Sequence, residues 1–459
     1  MRPRPIHLVG VGGAGMSAIA RLAAQAGYRV SGTDREDSAT LAALRSDGVA
    51  ATAGHDSGAL PADAEAIVVS TAIAPDNPEL TAARERGIPV LHRADLLAEL
   101  ASGRRTLAVA GAHGKSTTSA MLALALGGAS VCVGAEIPGG GGTGGAWGAG
   151  PWFVAEADES DRSLLVLAPE AAILLNVDHD HHATFATLAE VEEVFQRFVA
   201  GLPAGGVLVA GPDAGARAAA AAALCPVMCV GEEPSAAVRI AARRPGGMTL
   251  ALDGRRVEVV LAVPGRHNQD NAACAIALAA WCGVAPEAAA ARLAGFGGVG
   301  RRFELRGEAA GVRVVDDYAH HPAEIAATLA AAREGHAGRL VAVFQPHLYS
   351  RTRALGGELG RALEAADLVV VTDVYAAREP PDPDVSGRDV AAAVRPPARA
   401  VFVPGLAEAA ELLERELRPG DLVLTIGAGD ITNLGQELLG RLQKQTADGG
   451  GVDELVRPA

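Results

Sequence analysis

The chain has 459 residues, of which 49% are hydrophobic and 20% are charged, and its formal net charge is −14. This length exceeds what one hydrophobic core usually supports, so we predict two or three folded domains and exclude a disordered chain. The acidic balance argues against a nucleic-acid partner, because such a face needs clustered basic residues. No apolar run approaches the roughly 18 residues of a membrane span, so we expect no membrane partner and a cytoplasmic location.

Two residue types are informative through their number and spacing. The five cysteines include no C-x-x-C pair, which favours buried thiols over a zinc site or a disulfide framework. Only two of the 40 basic residues are lysines, Lys115 and Lys444. A lysine inside a glycine-rich turn of such a chain indicates that arginine would not serve there.

Short apolar runs alternate with helix-like stretches along most of the chain, which is the pattern of parallel sheets covered by helices. We therefore predict an α/β protein. Strands are expected at residues 6–9, 67–70, 107–110, 152–155, 173–175, 340–344, 368–371 and 422–426. Helices are expected at residues 17–26, 117–126, 271–281 and 322–333. Joints near residues 101–105 and 295–301 divide the chain into three predicted domains, residues 1–102, 103–300 and 301–459.

The first motif is the glycine run GVGGAG at residues 10–15, between a predicted strand and a predicted helix. Glycines there let the backbone approach a pyrophosphate at a helix N-terminus, and Asp34, at the end of the next strand, could meet a ribose. The pattern predicts a Rossmann-like domain that binds a nucleotide diphosphate. Taken alone, it also fits a dehydrogenase or a plain tight turn.

The second motif, GAHGKST at residues 111–117, again joins a strand to a helix. Amides of such a turn point at phosphates, Lys115 can reach the outer phosphates, and the Ser116 hydroxyl can ligate magnesium. The string departs from the usual phosphate-loop pattern because Val109 stands at the first glycine's place. We predict a central P-loop ATPase-type domain with a parallel sheet around this turn.

The third motif consists of polar side chains after two neighbouring predicted strands, EADESD at residues 156–161 and NVDHDHH at residues 176–182. Carboxylates at the C-terminal ends of α/β strands commonly meet metal-bound phosphates. A solvated acidic loop is the plain alternative. The three histidines would also suit zinc, but no ligand spacing typical of zinc is evident.

Seven runs in this order resemble the signature of the Mur ligase family and span all three predicted domains. They are GAHGKSTT, EADESD, NVDHDH, GRHNQDNA, GVGRRFE, DDYAHHP and FQPHLYSRTR, which begin at residues 111, 156, 176, 265, 298, 316 and 344. The pair EADESD and DDYAHHP resembles the L-alanine-adding branch more than the murein-peptide recycling branch, which tends to have tyrosine at Ser160 and phenylalanine at Tyr318.

The resemblance implies an ATP- and Mg²⁺-dependent ligase that joins L-alanine to the lactoyl carboxylate of UDP-N-acetylmuramate during peptidoglycan precursor synthesis. It implies a UDP-sugar-binding first domain, an ATP-binding central domain and a Rossmann-like C-terminal ligase domain, in a monomer or homodimer. An acyl phosphate would form first, and the amine of alanine would then attack it. His181 and His320 are both candidates for the base, and the sequence does not decide between them.

The resemblance also implies a role for individual residues. The sugar nucleotide would be bound by Gly12, Gly13, Ala14, Gly15 and Ser70. ATP would be bound by Gly111, His113, Gly114, Lys115, Ser116, Thr117, Asn268, Asn271, Arg302 and Asp317. The metal would be bound by Ser116, Glu156 and His181. Catalytic roles would fall to Lys115, His181, His320 and Arg351, and the amino-acid end of the cleft would be lined by His320, His347, Arg351 and Arg353.

One departure from the family pattern concerns alanine recognition. Many relatives carry arginine where Leu348 stands, so the carboxylate would depend more on Arg351 and His347. Two other readings compete with the ligase. A nicotinamide-dependent oxidoreductase would use the first glycine run but leaves the Lys115 turn without a role, and a non-catalytic regulator would bind ATP without turnover.

Overall fold

The computed structural model describes residues 4–137, 142–181, 184–377 and 379–449. The chain divides into two compact units, Met1–Ala262 with His267–Gly300 and Val263–Arg266 with Arg301–Ala459. The predicted boundary near residue 102 lies inside the first unit, and the residue bounds of the three domains stay a prediction. His182 of the histidine run lies outside the described residues.

The first unit begins with a five-stranded parallel sheet. Its strands are β1 (Pro5–Val9), β2 (Arg29–Asp34), β3 (Ala50–Ala53), β4 (Ala66–Val69) and β5 (Val90–His92), and its helices are α1 (Ala14–Gln25), α2 (Ala39–Ser46), α3 (Pro78–Glu85) and α4 (Arg93–Ala101). The strand order is β3-β2-β1-β4-β5. The chain therefore changes direction across the sheet between β1 and β4, and ligands of such sheets bind beyond the carboxyl ends of the strands at this point.

The same unit contains a second, ten-stranded sheet. Its strands are β6 (Arg105–Ala110), β7 (Ser130–Cys132), β8 (Gly145–Ala146), β9 (Trp152–Glu156), β10 (Ala171–Leu174), β11 (Leu208–Ala210), β12 (Val227–Gly231), β13 (Val238–Arg244), β14 (Gly247–Leu252) and β15 (Arg255–Val260). The helices of this region are α5 (Lys115–Leu126), α6 (Leu188–Ala200), α7 (Ala214–Ala220), α8 (Arg266–Trp281) and α9 (Pro286–Leu293). The order is β15-β14-β13-β12-β11-β10-β6-β9-β7-β8.

The parallel part of this sheet positions both predicted loops of the central region. Strand β6 lies between β10 and β9 and is parallel to both. Its residues Leu107, Ala108, Val109 and Ala110 are fully buried, as expected for a strand covered on both faces. The loops after β6, β9 and β10 therefore leave the sheet at one edge.

The second unit contains a six-stranded sheet. Its strands are β16 (Glu304–Ala309), β17 (Val312–Asp317), β18 (Leu340–Phe344), β19 (Leu368–Val371), β20 (Arg399–Phe402) and β21 (Leu422–Ile426), and its helices are α10 (Pro322–Gly335), α11 (Tyr349–Leu363), α12 (Gly387–Ala393), α13 (Leu406–Glu416) and α14 (Thr432–Gly449). The order is β16-β17-β21-β18-β19-β20, and only β16 is antiparallel to its neighbour. The predicted α/β class with parallel sheets is confirmed.

The predicted thiols and the membrane expectation can be compared with this fold. All five cysteines are free; Cys132, Cys225 and Cys274 are buried, and Cys229 and Cys282 are partly buried. In the part of the chain that the structure describes, no helix combines the length and apolar character needed to cross a bilayer.

Candidate active site

The first glycine run forms the turn between β1 and α1. Gly13 is the N-cap of α1, and Ala14 and Gly15 begin its first turn. The amide of Gly12 donates to Asp34 Oδ2 at 2.8 Å. Asp34 therefore ties the loop to the end of β2, a role that the fingerprint alone did not suggest. The first-turn amides of a helix have no partner within the helix, so this end favours an anion.

Ser70 directly follows β4, the neighbour of β1 in the sheet. Its side chain is partly buried, and its hydroxyl accepts a long hydrogen bond of 3.4 Å from the amide of Ala72. Because β1 and β4 are parallel, Ser70 and the glycine loop leave the sheet at the same edge, on either side of the change in chain direction. The role of Ser70 toward the sugar nucleotide stays a prediction.

The second glycine run forms the turn between β6 and α5, and two of its glycines are required by geometry. Gly111 has φ +139° and Gly114 has φ +82°. A Cβ atom on Gly111 would lie 3.1 Å from the amide nitrogen of Asn176, and one on Gly114 would lie 3.0 Å from Asn271 Oδ1. The turn is therefore closely packed, and Lys115 opens the helix with its first-turn amides available for phosphate oxygens.

Asn176 clamps this turn from the end of β10. The amide of His113 donates to Asn176 Oδ1 at 2.8 Å, and Asn176 Nδ2 donates to the carbonyl of His113 at 3.0 Å. The His113 ring also contacts Asp178 at 3.3 Å between Nε2 and Oδ2. Asn176 is a structural partner that the sequence placed only within a metal-capable run.

Lys115 is held by three acceptors. Its Nζ atom donates to the carbonyls of Gly111 at 2.8 Å and Ala112 at 3.1 Å and to Glu159 Oε1 at 2.9 Å. Burial alone would lower the pKa of Lys115, but the carboxylates of Glu159 and Asp158 outweigh it and raise the pKa. Because an ammonium has three donors, a phosphate oxygen must replace one of these acceptors to contact Lys115.

Two of the predicted metal ligands are in direct contact. Ser116 Oγ donates to Glu156 Oε2 at 2.9 Å, and the same oxygen accepts from the amide of Gly134 at 2.7 Å. His181, the third, lies with Nε2 at 3.2 Å from Glu159 Oε1. Burial would lower the pKa of His181, but the contacts with Glu159 and Asp180 raise it.

Glu159 is a site residue that the sequence did not single out. It is 1% exposed, and its Oε1 meets both Lys115 and His181. Its other oxygen, Oε2, is buried without a hydrogen-bond partner in the part of the chain that the structure describes. Together with Ser116 and Glu156, it offers hard oxygen donors of the kind Mg²⁺ prefers, so the residues present fit that ion.

Asn268 and Asn271 lie on α8 and are buried, with 6% and 7% of their surfaces exposed. The side chain of Asn271 lies against Gly114, as the space around that glycine shows. The structure thus brings one of the two predicted nucleotide residues of α8 to the phosphate turn.

Arg302 and Asp317 belong to the second unit. Both oxygens of Asp317 accept backbone amides, from Phe303 and Ala319, each at 2.8 Å. Burial raises the pKa of Asp317 to about 6, against the opposing effects of Arg302 and those amides. Arg302 donates to Glu324 at 3.4 Å. In this structure Asp317 shapes the turn after β17, and its role toward a nucleotide stays a prediction.

The second unit also gathers the residues predicted for the amino-acid end. The rings of His320 and His347 lie 6.1 Å apart, and His347 stacks on Tyr375 at 6.0 Å. The buried Arg351 donates from Nη1 to His347 Nδ1 at 3.2 Å. Since arginine can only donate, Nδ1 of His347 is the accepting nitrogen. Arg353 is exposed on α11 and pairs with Asp382, and its substrate role stays a prediction.

The chain matches three family models in sequence order. They are the Mur ligase family, catalytic domain, at residues 5–105, the Mur ligase middle domain at residues 152–279, and the Mur ligase, glutamate ligase domain, at residues 301–429. These models together cover more than half of the chain. They include the first glycine turn, the acidic segment, and His320 with His347, and the second glycine turn lies between the first two matched ranges.

Three relatives illustrate the similarity. The UDP-N-acetylmuramate–L-alanine ligase of Kineococcus radiotolerans is 50% identical, with 96% of each chain covered. The enzyme of the same name from Streptomyces coelicolor is 46% identical, covering 95% of this chain and 97% of the relative. The crystal structure of UDP-N-acetylmuramate-alanine ligase from Thermotoga maritima is 28% identical with a TM-score of 0.82, covering 96% of this chain and 99% of that one. The chain belongs to the Mur ligase family.

Proposed function

We propose that the protein joins L-alanine to the lactoyl carboxylate of UDP-N-acetylmuramate with conversion of ATP to ADP and phosphate, a step in peptidoglycan precursor synthesis. The observation that carries the proposal is the ammonium of Lys115 at the N-terminus of α5, beside the paired side chains of Ser116 and Glu156. The substrates are those in the names of relatives aligned over nearly the whole chain. A cytoplasmic location and a monomeric or homodimeric state stay predictions.

In the first step, an oxygen of the lactoyl carboxylate attacks the γ-phosphorus of ATP, the bond to ADP breaks, and an acyl phosphate forms. Lys115 and the amides that open α5 stabilise the negative charge that spreads over the phosphoryl oxygens. Ser116, Glu156, Glu159 and His181 would hold Mg²⁺, which would supply further neutralisation of this charge.

In the second step, the amine of alanine attacks the acyl carbon, and the tetrahedral intermediate collapses to the amide and phosphate. The amine must first lose a proton. His320 suits this role, because its Nδ1 lies 2.9 Å from the carbonyl oxygen of Tyr318, which can only accept. The ring proton therefore lies on Nδ1, which leaves Nε2 as the basic nitrogen of the neutral ring. Arg351 and His347 hold the carboxylate end of alanine.

Gly12→Val is expected to raise the KM for UDP-N-acetylmuramate by about tenfold or more while the KM for ATP changes little. A Cβ atom at Gly12 would lie 2.8 Å from Leu41 Cδ1 and 2.9 Å from Asp34 Oδ2, so the loop must shift. Steady-state kinetics with each substrate varied in turn checks this. An equal rise in both KM values would indicate misfolding. An unchanged KM for the sugar nucleotide would show that this loop does not bind it.

Arg351→Lys is expected to raise the KM for alanine by about tenfold, because lysine cannot form the two parallel hydrogen bonds that a guanidinium makes to a carboxylate. The matched control is Arg361→Lys, since Arg361 is exposed in the last turn of the same helix. Titration of alanine at saturating ATP and sugar nucleotide measures both. An unchanged KM for alanine in the Arg351 variant would exclude Arg351 as its ligand.

The experiment that tests the proposed function measures ADP and phosphate release with UDP-N-acetylmuramate and a panel of amino acids. L-Alanine is expected to stimulate release and to give a product heavier by one alanyl group. If no amino acid stimulates release while ATP binds tightly, a non-catalytic regulator would replace the proposal. Oxidation of a nicotinamide cofactor without ATP consumption would instead support an oxidoreductase.

A further inference from the structure

Arg93, the first residue of α4, makes two ion pairs with the acidic segment that follows β9. Its Nη2 atom lies 2.6 Å from Asp158 Oδ2 and 3.1 Å from Asp161 Oδ2. Only 20% of the Arg93 side chain and 9% of the Asp161 side chain are exposed. Such shielded, charge-assisted contacts are stronger than ordinary surface ion pairs.

The other edge of the same guanidinium faces the first glycine turn. A Cβ atom on Gly15 would lie 3.4 Å from Arg93 Nη1, so this nitrogen lies beside the open side of Gly15 in the first turn of α1. That turn presents the amides at which a diphosphate is expected. One planar group thus reaches from the acidic segment to the place where an anionic substrate would be bound.

The acidic segment in turn contacts Lys115. Asp158 and Glu159 are consecutive, and Glu159 accepts a hydrogen bond from the lysine ammonium. Asp158 is affected by both cations: burial would raise its pKa, but the charges of Lys115 and Arg93 lower it well below its usual range. A displacement of Arg93 would therefore change the electrostatic environment of Asp158, the neighbour of the carboxylate that accepts a hydrogen bond from Lys115.

We propose that Arg93 is a positioning residue that couples a diphosphate bound at the first glycine turn to the acidic segment around Lys115. This proposal rests on the proposed function and deepens it. A diphosphate oxygen near Gly15 attracts Arg93 Nη1 while Nη2 keeps Asp158 and Asp161 in place. The sugar nucleotide then helps to set the geometry in which ATP is bound, and ATP bound alone lacks this support.

The test measures binding of a non-hydrolysable ATP analogue with Mg²⁺, with and without UDP-N-acetylmuramate, so that no chemistry occurs. In the unaltered protein the sugar nucleotide is expected to tighten analogue binding by about fivefold or more, a typical coupling between two sites. Arg93→Lys and Asp161→Asn are each expected to reduce this factor to about one while analogue binding without sugar nucleotide changes less than about twofold. Lysine keeps the charge but cannot contact both sides at once.

Arg45→Lys is the matched control, because Arg45 forms an exposed ion pair with Asp37 in the same sheet region and should leave the coupling unchanged. Coupling that persists in both Arg93→Lys and Asp161→Asn would overturn the inference, as would its absence from the unaltered protein. Asp161→Asn keeps the test decisive if Arg93→Lys does not fold. An unaltered protein that binds both ligands but forms no product with alanine would overturn the proposed function separately.

Discussion

Replacing Lys115 by arginine is expected to lower acyl-phosphate formation by about 10²-fold or more, the usual cost of losing an electrostatic contact made in the transition state. The ammonium of Lys115 lies between two carbonyl oxygens of its own turn and Glu159, and 12% of the side chain is exposed. A broad planar guanidinium cannot occupy this three-sided space without moving the glycine turn. The variant should still fold and bind the sugar nucleotide.

The measurement is single-turnover ADP formation with UDP-N-acetylmuramate and without alanine, with hydroxylamine present to trap the acyl phosphate. Lys444→Arg is the matched control, because Lys444, the other lysine of the chain, is exposed on α14. Near-normal trapping by the Lys115 variant would mean that Lys115 is structural and that the phosphate site lies elsewhere.

Glu159→Gln is expected to reduce kcat by roughly 10- to 100-fold and to raise the Mg²⁺ concentration needed for half-maximal activity. The substitution keeps the shape of the side chain but removes the negative charge that Lys115 and His181 share. It also turns the buried, unpartnered Oε2 atom into a donor or leaves a neutral carbonyl in its place. Either outcome weakens the binding of a cation at this position.

Kinetics at varied Mg²⁺ concentration separate the two effects of this substitution. Glu170→Gln is the control, because Glu170 is a half-exposed glutamate that pairs with Arg105 just before β10. Unchanged kcat and unchanged Mg²⁺ dependence in the Glu159 variant would show that this carboxylate only fills space. A lower thermal midpoint with normal kcat would give it a purely structural role.

The strands of the fold were predictable because buried parallel strands are continuous apolar runs. The strand predicted at residues 107–110 illustrates this, since the observed strand differs only in beginning two residues earlier, at Arg105. Helix starts were less accurate. The helix predicted from residue 271 begins at Arg266. The prediction began too late because Asn268 and Gln269, in the first turns of the helix, are polar yet buried. A hydrophobic pattern does not register polar residues that face the interior.

The two glycine turns could be located from sequence because their backbone conformations require glycine, as at Gly111 and Gly114. The partners of Lys115 could not. The run EADESD contains four carboxylates, and in a loop no periodicity decides which one faces inward. Glu159 and the link from Asp158 to Arg93 depend on contacts between segments 44 and 65 residues apart, which only the folded chain reveals.

The central claim is that the lactoyl carboxylate is activated by phosphorylation, and oxygen-isotope transfer tests it most directly. UDP-N-acetylmuramate labelled with ¹⁸O in both carboxylate oxygens is incubated with the protein, ATP, Mg²⁺ and L-alanine, and the released phosphate is analysed by mass spectrometry. Attack of the carboxylate on the γ-phosphorus predicts one ¹⁸O atom in each phosphate and the other in the amide carbonyl of the product. Phosphate that carries no ¹⁸O, released alongside unmodified sugar nucleotide, would contradict carboxylate activation.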